Sequence, residues 1–556
     1  MSGNTFSCLV SVTRSSGVEL NVHLMLEKKV TRQEQKLNTL SQYVKQYPSG
    51  WKKRWEFADL LSVTGNWERA VEEYRQVIER QPRLIDARFK LGKLLQLMGR
   101  EAEAIEVYES ALPLSDHEAA KKYISGAIAI CRGDTKKALT AFENAANLQP
   151  DNAACWLVLG QLQVQRENPV GALGAFDAIL SLYPDDITAL IHSYDALMAV
   201  GNLQEAQQRL HKLTVLAGGD FRVLQRQLHE RCAMRLVSGK EGKETKKMIT
   251  SALHQYPHAV EARKSLAYYH IFRGDWSEGV EVLAEFAAQR PNHPHAWYYL
   301  GRCLFDTGEY QKAASAMLKA YALHPGECEI YLALCEILPA VKMTSIPLTF
   351  PLKKGGGGTL QTKDGDNITL TFIVEEMLKR FPQRWSVWAT AGRVLVECLK
   401  EVERGCEVSK QGTKLQPQLA DTWFCHGRVL ALALKHQEAV EALEKGWEFL
   451  PAGGYLQSVP ATVWLAQSYR ALGDVATSKR WWEVAGEGCR ELKPFNPAVA
   501  DCWLGRALAE LGDRLGAIEA YESALSQHLL YPAREEVEKI LRRLKGKGKA
   551  KKGCGA

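Results

Sequence analysis

Four groups of side chains in this chain have types or spacings that chemistry can use. His229 and Cys232 stand one helical turn apart, the arrangement in which an imidazole takes the proton of a thiol nucleophile. No third group that would orient the imidazole can be assigned, so both read as packing residues. His293 and His295 flank Pro294, but a metal pair needs further ligands at fixed spacing and none follows. The stretch KKGGGGT at 353–359 has the residue types of a phosphate loop in the wrong order, because there the lysine must follow the glycines between a strand and a helix. Acidic residues gather in ERAVEEY (68–74) and EAVEALEKGWE (438–448), which read as solvated helix faces. No catalytic, metal-binding or cofactor-binding residue is assigned, and the chain is not expected to be an enzyme.

One pattern stands above these. An arginine follows a glycine in Gly301-Arg302, Gly392-Arg393, Gly427-Arg428 and Gly505-Arg506, and Lys93 follows Gly92 in the same way. Guanidinium groups bind carboxylates and phosphates through paired hydrogen bonds, so a stripe of them suits an acidic ligand. Whether they form a stripe depends on the elements that carry them.

Those elements repeat. Ala70, Ala104, Ala138, Ala172 and Ala206 follow one another at intervals of 34 residues. Four residues after each comes a large apolar group: Tyr74, Tyr108, Phe142, Phe176 and Leu210. Five residues before stands a turn residue, Gly65, Gly99, Gly133 and Gly201, with Glu167 as the exception. Pro82, Pro150 and Pro184 close three of the five units. The first halves carry W-x-x-L-G, as in Trp156, Leu159 and Gly160 and again in Trp297, Leu300 and Gly301. Apolar residues at spacings of three and four make each half an amphipathic helix. The glycine between halves suits a helix C-terminus, and the proline ends the second helix by excluding helical geometry from the residue before it. Small residues at the eighth and twentieth positions are expected where the two helices cross closely.

This period and motif resemble the tetratricopeptide repeat family. The resemblance runs over about 51–532 and implies an all-α fold: an α-solenoid, a right-handed superhelix of about 12–13 tandem helix-turn-helix units. Along it the reading is an N-terminal arm at 1–30, a half-repeat helix at 31–50, and repeats over 51–338 that blur near 219–259, where Thr245 replaces the alanine. An inserted loop or hairpin at 339–372, ending in the β-like ITLTF, divides one repeat between its helices. Repeats then resume over 373–532, followed by a capping helix at 533–545 and a basic tail at 546–556.

In this family the fifth, ninth and twelfth positions of the first helix line the concave groove. The resemblance therefore places Lys93, Arg302, Arg393, Arg428 and Arg506 there, with Tyr298 and Phe424 as aromatic neighbours at the fifth position. The opposing reading pairs these arginines with acids of adjacent repeats, Arg302 with Glu336 in near register. The lysine and asparagine set with which some family members grip the C-terminal acid of chaperones is not found.

Bulk composition narrows the rest. The net charge is +7, and residues 542–556 hold seven basic side chains and no acidic one, so the other 541 residues are neutral as a set. That gives no support to a nucleic-acid surface. Thirteen scattered cysteines without a Cys-x-x-Cys pair argue against structural zinc and for a reducing compartment. No secretory signal, membrane span or lipidation box is read, so a cytoplasmic location is expected. The function expected is a protein–protein interaction scaffold that binds an extended, acidic peptide or partner, with no cofactor. Two alternatives stand beside it: a substrate-recruiting or regulatory subunit of a separately encoded enzyme, and a helical-repeat RNA binder.

Overall fold

A computed structural model describes residues 35–341, 345–347 and 367–546, apart from 64, 65, 99, 257, 258, 452 and 532. The N-terminal arm, the KKGGGGT stretch, the turn residues Gly65 and Gly99 and the basic tail after Gly546 lie outside the described residues. A helix at 35–46 precedes thirteen helix pairs, from Trp51–Val63 with Trp67–Arg80 to Pro497–Leu511 with Arg514–Ser526, and the helix Ala533–Gly546 follows them. The fold is an all-α solenoid of stacked helix pairs. Its described residues group into two compact units, 35–165 with 171–192 and 166–170 with 193–546.

The repeated residues explain the pairs. Gly133, Gly201, Gly473 and Gly512 end first helices with φ of +71°, +85°, +88° and +91°, a left-handed conformation that glycine adopts without a Cβ clash. The next residue is Asp134, Asn202, Asp474 or Asp513, and its side chain accepts a backbone N–H of the second helix at 2.9–3.3 Å. Glycine and cap together stop one helix and start the next. The tryptophan of the motif has its own partner. Trp156, Trp297, Trp388 and Trp423 each donate the indole N–H to the carbonyl six residues earlier, of Pro150, Pro291, Pro382 and Pro417, at 2.8–2.9 Å. That bond ties the loop between repeats to the first helix that follows it.

The small eighth residue has a more specific cause than close crossing alone. A Cβ on Gly92, Gly126, Gly160 or Gly505 would stand 2.5–2.8 Å from the ring of Tyr108, Phe142, Phe176 or Tyr521, the large group four residues after the alanine. The ring fills the space that a side chain would take. At Gly392 the partner helix itself comes that close, with Gly405 O 2.8 Å from the missing Cβ.

Two elements depart from the period. In the blurred repeat Thr245 is fully buried; its hydroxyl accepts from Arg231 Nε at 2.8 Å and donates to Leu236 O at 2.7 Å, so a polar contact replaces the alanine packing. Between Cys328–Ala340 and Leu370–Arg380 stand two strands, Ser345–Pro347 and Asn367–Thr369, paired antiparallel with Ile346 opposite Ile368. The β-like run ITLTF is strand only as far as Thr369. There the threonine hydroxyl accepts from Phe372 N at 3.1 Å and starts a helix instead. No described helix is long and apolar enough to cross a membrane.

Candidate partner-binding face

In the second unit the first helices of neighbouring repeats touch one another, as Trp385–Glu397 touches Ala420–Leu432 and that helix touches Tyr455–Ala471; their second helices make no comparable contact. The stack therefore curves with first helices on the inside. These first helices carry the ninth-position arginines.

Arg302 forms an ion pair with Glu336 of the next repeat. Burial alone would lower its guanidinium, but the carboxylates of Glu336 and Asp306 outweigh it and hold the group charged. Asp306 in turn accepts from Tyr268 Oη at 2.5 Å, and burial pushes its carboxyl up. Arg302 is thus fixed within a buried network. Arg393 donates to Glu397 at 3.2 Å on its own helix. Arg428 lies 5.4 Å from the Trp464 ring centre, and Arg506 lies 5.7 Å from that of Trp503. Burial, then the like charge of neighbouring Arg393, push the Arg428 guanidinium down. The carboxylates of Glu397 and Glu336, partners of Arg393 and Arg302, oppose that push, so three guanidiniums lie among two carboxylates.

The fifth position differs from what the resemblance implies. Phe424 is 2% exposed and lies against Gly446, whose missing Cβ would be 2.6 Å from its ring, so it is a core residue and offers nothing to a ligand. Ala389 and Cys502 are buried as well, while Tyr298 is half-buried. The fifth residue faces back toward the second helix, and the half-buried indole of Trp464 supplies the aromatic surface instead, Trp503 being itself a core residue. Trp464 belongs to the repeat after Arg428, a relation that only stacking creates. Lys93 is exposed and belongs to the other unit.

The remaining candidates hold no reactive geometry. Burial pushes His229 down to about 4 and Cys232 up to about 11, so the imidazole is neutral and the thiol keeps its proton. His295 Nε2 lies 3.1 Å from Glu327 Oε1, an ion pair between repeats. Among the described residues no group of three or more His, Cys, Asp or Glu is placed to hold a metal ion.

Asp421, also on the helix of Arg428, carries a pH dependence. Burial pushes its carboxyl up to about 7, against a hydrogen bond from Gln457 that favours the charged form. An unfolded aspartate titrates near about 4. The folded state therefore binds this proton more tightly, and stability is lost as pH rises from about 4 to about 7. Asp421→Asn is expected to melt above the native protein at pH 8, with the two curves converging toward pH 4. Thermal unfolding across that pH range checks this.

Comparison with known proteins agrees with the repeat pattern. The Tetratricopeptide repeat family matches at 56–119, 129–187 and 264–327, and a second model of the same description matches at 459–483. Among curated proteins the chain is 28% identical over 180 residues to BBSome complex member bbs-4 of Caenorhabditis elegans, covering 32% of this chain and 37% of that one. It is 26% identical over 220 residues to the Protein CTR9 homolog of Arabidopsis thaliana, covering 39% and 18%. The match thus spans well under half the length of either relative. Among solved structures, yeast Tom70 aligns with 75% of this chain and 95% of its own at 15% identity and a TM-score of 0.37. YrrB, a TPR protein with an unusual peptide-binding site, aligns with 34% and 97% at 19% identity and a TM-score of 0.24.

Proposed function

The chain belongs to the tetratricopeptide repeat family, and from that premise we propose that it is a non-catalytic protein-interaction scaffold whose inner face in the second unit takes an extended acidic stretch of a partner. One observation carries the reading: three guanidiniums, of Arg302, Arg393 and Arg428, lie among two carboxylates, Glu336 and Glu397, beside the indole of Trp464. The cluster is one carboxylate short of balance, which an incoming carboxylate supplies, and an indole adds apolar burial. Arg302 is held by Glu336 of the next repeat, and Arg393 by Glu397 of its own helix.

The test uses the full chain and fluorescent glutamate-rich and lysine-rich peptides of equal length. The glutamate-rich peptide is expected to bind, to weaken with added salt, and to lose about tenfold or more in affinity in Arg393→Gln/Arg428→Gln. Circular dichroism confirms the variant's helices. Equal binding of both peptides, or binding that survives the loss of these two charges, would overturn the reading. Arg302 is left unchanged, since it holds Glu336 and lies beside the buried Asp306.

A further inference from the structure

The turns that join the two helices of a repeat lie along one edge of the second unit, and the loops that join successive repeats lie along the other. In five successive repeats the turn edge is covered by later loops of the same chain. The turn at 166–170 receives Arg384, Ser386 and Gln416, the last donating to Arg166 O at 2.9 Å. The turn at Gly201 receives Gln457, whose Oε1 stands 1.9 Å from where a Cβ would be. Arg235 Nε donates to Gln527 O at 3.2 Å. The His528 ring fits against Gly274, and Tyr531 N donates to Asp306 O at 3.0 Å beside Gly308. Turn edge against loop edge is therefore a joint that this sequence makes repeatedly.

Residues other than glycine with a left-handed backbone mark the joint. Among the described residues they are Glu167, Arg235, Lys400, Leu434 and His528. Three of them put their side chains into the turn-to-loop contacts just given. Lys400 donates to Glu397 O at 2.8 Å. Leu434 occupies the place of the turn glycine, five residues before Ala439, at φ +62° with its side chain 77% exposed. A branched side chain is disfavoured in that conformation, and exposing it to water gains nothing for folding. Along the same edge Leu472, Val475 and Leu515, in the turns of the next two repeats, are 45%, 68% and 75% exposed.

We propose that this free turn edge, centred on Leu434, is a docking surface for a second copy of this chain, which supplies its own loop edge. The complementary half is present. In the first unit the loops between repeats expose Leu148, Leu182 and Tyr183, the last at 54%. Each copy would use one patch to receive and another to insert, so the contact is heterologous and open-ended.

Sedimentation velocity of the full chain up to about 100 µM tests this, in the range where interfaces of modest area associate. Association beyond dimer is expected for the native chain. Leu434→Glu/Leu515→Glu alone and Leu182→Glu/Tyr183→Glu alone are each expected to stay monomeric. Mixed in equal amounts they are expected to form a dimer and nothing larger, because each retains the edge the other lost. Leu434→Gly separates docking from folding: it is expected to melt no lower than the native protein while weakening association about tenfold. A native chain that is monomeric throughout, a mixture that fails to pair, or a Leu434→Gly protein that melts lower and associates normally would each overturn the proposal.

Discussion

Replacing Arg384 by methionine is expected to destabilise the second unit by about 3–5 kcal/mol, the cost of leaving buried charge without its partner. The Arg384 guanidinium donates to Glu167 Oε1 at 2.7 Å and to Glu329 Oε1 at 2.8 Å, and all three side chains are at least four-fifths buried. Burial alone would lower the guanidinium, and the two carboxylates outweigh it and keep it charged. Glu167 is held further by Ser386, whose backbone N–H donates at 3.0 Å and hydroxyl at 2.7 Å, at the N-terminus of the helix Trp385–Glu397, where the helix dipole favours an anion. Methionine removes the cation and leaves two carboxylates facing each other. Urea unfolding at pH 7.5 should show the loss, and hydrogen exchange should place it at 166–170 and 384–397. Adding Glu167→Gln and Glu329→Gln to Arg384→Met should recover part of the stability. A triple variant no better than the single one would mean that shape, not charge, holds this contact.

Phe176→Ala is expected to cost the first unit a similar amount, about 3–5 kcal/mol, as a transfer loss plus a cavity. The ring is fully buried, covers Gly160 and stacks on His192 at a centroid distance of 5.0 Å. Gly160→Ala probes the same contact from the other side. Its Cβ would meet the ring at 2.6 Å, for an overpacking cost of about 1–3 kcal/mol. Because the two residues fill one space, Gly160→Ala with Phe176→Leu should cost less than the separate effects summed. Each repeat is stabilised mainly by its neighbours, so hydrogen exchange after Phe176→Ala should rise across 153–165 and 171–192 more than in the second unit. Uniform exchange throughout would contradict that picture.

The repeat itself was legible because its causes are local. A left-handed glycine, a cap side chain, a ring over a glycine and an indole bonded to the preceding loop all act within one unit of 34 residues, so they recur in the sequence at that interval. The arginine stripe was half legible. Its period places Arg393 and Arg428 one repeat apart, but whether the fifth residue faces groove or core depends on how far the two helices of a pair are rotated. Phe424 shows that rotation carries the ring inward. Trp464 joins the face only because Tyr455–Ala471 stacks beside Ala420–Leu432.

Glu167 marks the boundary between the two kinds of information. In the sequence it is merely the one turn of the first five without glycine. Its partners Arg384 and Ser386 lie 217 and 219 residues further on, and no periodic signal links them. The sequence by itself determined the helices, their pairing and the residues that close each pair, because those interactions are made between near neighbours. Which turns are covered and which stay open was decided by the tertiary structure. Small rotations between repeats add up over many units within the second unit, and only their sum brings a late loop onto an early turn while leaving Leu434 in water.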